Sequence, residues 1–403
     1  MSQLTRRQFL KSAAAGAALA ALGAAASERR QWPWRQPHAD EAMPFLVVDA
    51  HEDIAWNMLN YGRDYTRSAY ETRELEGMGI PYETYAGLCT LGLPEWLQGR
   101  VGVICATVFV MPARHAIASD IVTYSNPDEA HEWGMRQMAA YDALVEASGG
   151  SVQLINTVGD LDAVARTWAD EADPDSRRVG LIRSMEGAEP IREPAECGLW
   201  FERGLRIVGP SWRRTRYGGG TYEPGPLTDL GRALLDEMAA ASLMLDLSHT
   251  SDQTFYDAID HFDGVALVSH SNPRSFCPGG ERCPTDEMIR LLAERSGVIG
   301  TALYNAYLKP DWQHGDGRTV TLQDAVDVID HVCQLLGDAE HAGIGSDFDG
   351  SLGWQNNIPR EMDTVADLLL LADGLRARGY AEADVKAIMG GNWLRLFREG
   401  LPS

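Results

Sequence analysis

The sequence predicts a parallel α/β fold closed into a (β/α)8 barrel, and three observations carry that reading. Strand-type runs alternate with helical patterns along most of the 403 residues. Run after run stops at a side chain able to bind metal: His51 and Asp53, Glu186, His249, His270 and Asp347. No GxGxxG follows the first strand, and Gly218-Gly219-Gly220 has no helix start behind it, which counts against a doubly wound sheet with one phosphate-binding switch point. Collecting site residues from the C-terminal ends of many strands is barrel behaviour.

Taken in order, residues 1–26 read as a signal peptide. Twin arginines, Arg6-Arg7, precede Phe9-Leu10-Lys11 and an Ala-rich run, with Ala24-x-Ala26 as a small-residue cleavage site. That run is too short and too poor in Leu and Ile to anchor in a bilayer, and no cysteine follows it for lipid attachment. Export by the twin-arginine machinery to the periplasm or beyond is expected, with no stable membrane anchor after cleavage. Residues 27–43 read as a linker, and residues 44–403 as one barrel domain.

Residues 45–53, FLVVDAHED, form an apolar, β-branched run of the kind buried in parallel sheets. His51 and Asp53 sit two apart, so in extended chain they point the same way. A polar segment spans 57–99, and a second strand 101–110. Asn126-Pro127 opens a helix to about 147, residues 152–158 suggest a short strand, and 159–171 a helix. Strands then fall at 179–185, 205–209, 243–247, 265–268, 298–303 and 342–345. Helices capped at Thr228, at Ser251 or Asp252, at Thr285 and at Thr321 separate the later ones. Helices at about 361–378 and 382–398 close the chain, with a structural turn at Gly391-Asn392. This gives nine candidate strands, one too many; 152–158 is set aside because no polar site residue ends it.

Hydrophobic content of 45% and charged content of 23% are ordinary for a globular chain. A net charge of −23 argues against nucleic acid as a partner. Six scattered cysteines with no CxxC pair exclude both a disulfide-stapled scaffold and a thiolate zinc site. A bridge involving Cys277 or Cys283 is open, without a pairing fixed by the sequence.

Placed on one barrel face, three imidazoles and three carboxylates suit one or two divalent ions such as zinc. Glu186 can bridge, giving His51, Asp53 and Glu186 to one ion and Glu186, His249 and His270 to the other. Two adjacent ions sharing a hydroxide and polarising a carbonyl is hydrolase chemistry. Asp347 is placed to shuttle the proton, whereas Asp349 is expected to turn the loop before Gly350. His38, His115, His131, His261, His314, His331 and His341 lack such context and read as surface or packing residues.

These motifs resemble the membrane (renal) dipeptidase family, zinc dipeptidases built on amidohydrolase-like barrels of the metal-dependent hydrolase type. The matching runs are Asp49-Ala-His-Glu-Asp53, Met185-Glu-Gly187, Leu245-Asp-Leu-Ser-His-Thr250, Ser269-His-Ser271, Arg282-Cys-Pro-Thr-Asp286, Gly343-Ile-Gly-Ser-Asp-Phe-Asp-Gly350 and Gly390-Gly-Asn-Trp-Leu-Arg395. They occur in the family's order. The resemblance implies two Zn2+ bridged by Glu186, with catalytic roles for Glu186 and Asp347, a dipeptide-like substrate whose terminal carboxylate Arg282 holds, and a homodimer. Trp212, Arg213 and Asn305 are further substrate-binding candidates, and Trp312 is a lesser one. One departure matters: typical members carry a histidine in a Leu-Thr-His-Asn-like run after the 205–209 strand, and here Gly209-Pro-Ser-Trp-Arg213 puts Trp212 there. Indole can donate one hydrogen bond but carries no positive charge. A second reading therefore stands beside peptide hydrolysis, that of an exported dipeptidase-like protein with weak or altered activity, acting in maturation or binding of a small peptide-like metabolite.

Overall fold

The computed structural model describes residues 45–403 apart from 78–86, 119–120, 170, 278–279, 314–315, 317–318 and 351–356. The signal peptide, the linker, His38 and His314 lie outside the described residues. Eight parallel strands form the barrel: β1 (Val47–Glu52), β2 (Val101–Phe109), β3 (Val179–Glu186), β4 (Leu205–Gly209), β5 (Met244–Asp246), β6 (Ala266–Leu267), β7 (Ile299–Thr301) and β8 (Ala342–Ile344). Neighbours follow chain order, β8 pairs with β1, and a bridge between Val268 and Ile299 joins β6 to β7. β1, β2 and β3 are buried along their whole length, which is why they read as unbroken apolar runs rather than alternating ones.

The helices follow the local chemistry that predicts them. Asn126 caps Pro127–Ala147 by accepting from the Glu129 amide, and Thr228, Thr285 and Thr321 each cap their helices through the hydroxyl. Ser251 stands at the N-terminus of Asp252–His261, but its hydroxyl goes instead to the Gly225 carbonyl.

The strand set aside stays outside the barrel, and three other expectations need correction. Residues Val152–Leu154 do form a strand, paired with β3 at its N-terminal end and outside the barrel circuit. A strand there is covered by the barrel wall without contributing to the mouth, which is why no site residue ends it. The adjacent helix is Val158–Arg166, shorter than expected. The segment 57–99 is not merely polar connection: helix Ile54–Tyr61 runs into it, and it holds helices Ala69–Glu76 and Leu93–Gln98, which bury too few apolar residues to show a period. At the C-terminus, Val365–Leu368 is a 3-10 turn before Leu369–Arg378, and Gly391-Asn392 is no turn. There the helix widens over Ala387–Gly391 and continues as Asn392–Gly400. The Asn392 amide donates to the carbonyls of Ala339 and Ala342, fixing the chain that leads into β8.

Beyond β6 the barrel wall is unusually tight. A Cβ on Gly300 or on Gly345 would run into the Ser269 carbonyl, so only glycine lets these backbones approach. That approach sets the position of His270, the next residue.

Candidate metal centre

Every barrel strand except β2 delivers a predicted site residue at or just beyond its C-terminal end. His51 lies within β1 and Asp53 just after it; Glu186 ends β3; Trp212, His249, His270, Asn305 and Asp347 follow β4 to β8 in turn. β2 contributes Phe109, in register with Glu186. His249 and Asp347 adopt left-handed backbone, φ +63° at each, which swings their side chains over the mouth. Such non-glycine strain costs about 1–3 kcal/mol and survives where the surroundings enforce it.

His51, Asp53 and Glu186 converge closely enough for one ion, and so do Glu186, His249 and His270. His51, His270 and Asp347 form a third, overlapping group. Glu186 divides its oxygens between the two sides. Oε1 stands 2.8 Å from His249 Nε2 and 3.5 Å from His270 Nε2, while Oε2 stands 3.9 Å from His51 Nε2. The His51 and His270 rings stack, with centroids 3.7 Å apart.

The supporting hydrogen bonds fix the tautomer of His270. Ser269 Oγ donates to Asp246 Oδ2 at 2.5 Å, so at 2.8 Å it must accept from His270 Nδ1. That leaves His270 Nε2 as a lone pair, 3.0 Å from His249 Nε2. His249 Nδ1 is held at 2.9 Å by Thr221 Oγ1. Second-layer partners of this kind orient metal-binding imidazoles. His51 Nε2 and Asp53 Oδ1 are buried with no hydrogen-bond partner. Converging lone pairs, orphaned buried acceptors and crowded carboxylates fit a cationic occupant.

Electrostatics point the same way. Burial, reinforced by the charge of Arg282, pulls His51 down to about 3. His249 and His270 are likewise well below their ordinary range, through burial first. Burial raises Asp53 and Glu186, helped by the neighbouring carboxylates of Asp347 and Asp53 respectively. Asp347 is pushed up to about 7 by burial against the opposing pull of Arg282.

These shifts set the pH behaviour of metal-stripped protein. Between 3.8 and about 7 the folded chain keeps a proton on Asp347 that the unfolded chain has lost, so stability falls as pH rises through that window. For His51, the unfolded chain gains a proton below 6.5 that the folded chain refuses down to about 3, so stability also falls as pH drops through that range. The two shifts oppose each other between pH 6 and 8, whereas protons compete with metal for the ligand imidazoles and carboxylates at the lower pH; chelator-treated protein should therefore melt below metal-loaded protein, with the gap wider at pH 8 than at pH 6. Thermal unfolding with and without chelator measures it; a gap that narrows with rising pH contradicts the assignment.

Arg282 is 3% exposed, and its Nη1 and Nη2 donate to Ser271 Oγ and the His270 carbonyl. Its Nε is unpartnered, and the guanidinium lies 5.2 Å from the Tyr307 ring. Asn305 is fully buried with neither amide atom hydrogen-bonded. Trp212 meets Phe109 edge to face at 5.0 Å and stands 6.3 Å from the His249 ring. Of the arginines after it, Arg214 and Arg216 turn away to the Pro224 carbonyl and Glu189, leaving Arg213 near the site. Trp312 is buried against Tyr304. His115, read as a surface or packing residue, stands at the mouth instead, 6.2 Å from the Trp212 ring and 3.2 Å from Glu223. Sequence pattern alone gives Thr221, Asp246 and Ser269 no role in holding the imidazoles. Asp246 and Ser248 alternate on the strand end before His249, the one local signal available.

Asp349 does more than turn the loop. Its backbone is left-handed, φ +59°, and its carboxylate accepts from the Thr90 amide and hydroxyl, Arg63 and Tyr65. Asn57 Nδ2 donates at 2.7 Å to both the Asp53 and the Asp349 carbonyls, tying together the loops that carry Asp53 and Asp347.

Residues 41–400 match the membrane dipeptidase family, peptidase family M19. The chain belongs to that family. The dipeptidase is 31% identical to a dipeptidase, aclJ, of Aspergillus oryzae over 87% of its own length and 77% of that protein's. It is 28% identical to an uncharacterized protein from the pqqA 5' region of Klebsiella pneumoniae, over 65% and 94% of the two chains. In fold it is similar to a metallopeptidase of Rhodobacter sphaeroides solved with a phosphinate mimic of L-Ala-D-Ala, at TM-score 0.72 and 24% identity, covering 89% of this chain and 99% of that one. The dipeptidase is thus a metallopeptidase of family M19 on a (β/α)8 barrel. Residues 3–23 match the twin-arginine translocation signal, and the dipeptidase is exported by that route to the periplasm or beyond. Among the described residues, no helix is long and apolar enough to cross a membrane.

Proposed function

We propose that this metallodipeptidase is a binuclear zinc enzyme cleaving dipeptides or closely similar small amides. The observation that carries the reading is the division of Glu186, Oε1 toward His249 and His270 and Oε2 toward His51. Borderline nitrogen and oxygen donors in two groups suit zinc. His51, Asp53 and Glu186 would hold one ion, and Glu186, His249 and His270 the other. When bound, the ions supply polarisation of the scissile carbonyl and acidification of a water. Asp347, buried beside both ligand groups, accepts the proton from the attacking water and returns it to the leaving amine. Arg282 takes the substrate's terminal carboxylate, its fork and unpartnered Nε suiting that group. Trp212, Arg213 and Asn305 line the acyl side and the mouth. Residues 1–26 are removed as the signal, 27–43 act as a linker, 44–403 form the single catalytic domain, and the mature protein pairs as a homodimer.

Metal analysis combined with a dipeptide panel, including D-residues at the C-terminal position, tests this. Two zincs with turnover supports it, and bound metal with no turnover across the panel sinks it. The latter outcome would favour a maturation or metabolite-binding role, the reading motivated by Trp212. Supplying the missing imidazole is informative here. Trp212→His should raise kcat on simple dipeptides by at least about tenfold, since an oxyanion donor is typically worth a hundredfold or more. Unchanged kcat would show that the indole is no handicap.

A further inference from the structure

The cleft at Glu186 is lined by Val110, Tyr124, Glu189, Trp212, Arg213 and Arg214. Arg114, Arg213, Arg214 and Arg216 crowd its rim, and three of them are satisfied by protein groups. Arg114 donates to the Arg214 carbonyl and to Glu223, Arg214 to the Pro224 carbonyl, and Arg216 to Glu189 and the carbonyls of Ile191 and Arg192. Arg213 is different. Among the described residues its guanidinium has only aromatic neighbours, Trp212 and Tyr222, each with its ring centroid 5.4 Å away. Those faces hold the group in place while leaving its N–H donors unused.

The missing partner is not explained by scarcity. The chain has 58 acidic residues against 35 Lys and Arg, and its neighbours on this rim all find acceptors. Glu189, the other carboxylate of the cleft wall, is already matched by Arg216. Arg213 is therefore the arginine of this rim whose N–H donors no protein acceptor takes up among the described residues. It also stands apart from Arg282. Arg282 is buried among the ligand residues, whereas Arg213 is half-buried and lies against the Trp212 ring, which itself stands 6.3 Å from the His249 ring.

We propose that Arg213 is a carboxylate receptor, so that the preferred substrate is a dipeptide-like amide with an acidic side chain on its acyl residue. The C-terminal carboxylate goes to Arg282 and the side-chain carboxylate to Arg213. This assignment rests on the dipeptidase reading above. It differs from a role for Arg213 as a general oxyanion donor, which would serve every substrate equally.

Isosteric substrates separate the two. With zinc-loaded mature enzyme, kcat/KM for Glu-Ala should exceed that for Gln-Ala by roughly tenfold, the scale of one charge-assisted hydrogen bond. Arg213→Met should abolish the preference, Arg213→Lys should keep part of it, and added salt should weaken it in the wild type. A wild type that does not prefer Glu-Ala overturns the proposal, as does an Arg213→Met variant that loses rate on both substrates with the ratio intact. Ala-Ala turnover without acidic preference defeats this inference alone, whereas no turnover of any dipeptide defeats the underlying reading. In that last case equilibrium binding of phosphinate analogues with Glu or Gln on the acyl side decides: equal affinity overturns the receptor role, and tighter Glu binding supports it.

Discussion

Glu186→Ala should empty both metal positions at once, whereas His249→Ala should lose a single ion with the fold intact. Glu186 is the one residue common to both ligand groups, with an oxygen toward each. Carbonyl polarisation by metal is worth several kcal/mol, so kcat/KM should fall by roughly 10³-fold or more. The stability signature is the opposite of an ordinary core deletion. Burial and the Asp53 charge hold the Glu186 carboxyl well above its usual range, so in stripped protein the group is a burden. Glu186→Ala should melt no lower than chelator-treated wild type. Elemental analysis and melting curves check both halves; a Glu186→Ala protein retaining two ions, or a His249→Ala protein retaining its full complement, removes the bridging assignment.

The second large effect falls outside the ligand set. Asp349→Ala should destabilise the protein by about 3–5 kcal/mol, the usual result of stranding a buried charge. Arg63 is 3% exposed and would keep only Glu76 as a carboxylate, while Thr90 and Tyr65 lose their acceptor. The loop carrying Asp347 should loosen as well, because it loses the carboxylate's bonds to Thr90, Tyr65 and Arg63 and keeps only the backbone bond from Asn57 to the carbonyl of residue 349. Denaturant unfolding measures the loss, and a change under 1 kcal/mol would show the network to be incidental.

The barrel and its metal ligands were legible because both leave local marks. A buried parallel strand is a short apolar run, and a ligand at its end interrupts that run with a His, Asp or Glu. His51, Glu186, His249, His270 and Asp347 are all such interruptions. What the chain hides is long-range. The Arg63–Asp349 pair spans 286 positions, and Asn57 reaches Asp349 across 292. No local period predicts such partners. Likewise, helices Ala69–Glu76 and Leu93–Gln98 bury few apolar side chains, so their pattern is faint. The place of His115 is hidden for a similar reason: it depends on how one loop meets Trp212 and Glu223 of another.

The bridge between Cys277 and Cys283 closes the loop just before and beside Arg282. Six cysteines offer many pairings, yet the remaining four, Cys89, Cys105, Cys197 and Cys333, are buried free thiols. Burial pushes Cys197 and Cys333 up to about 12 and raises Cys89 and Cys105 well above the ordinary thiol range, so none offers a thiolate for exchange. A twin-arginine leader delivers a chain that has already folded, and disulfides form where the surroundings are oxidising. Folding first thus edits the oxidation chemistry. By the time oxidant is met, the competing sulfurs are out of reach, and the correct bond is the one left to make.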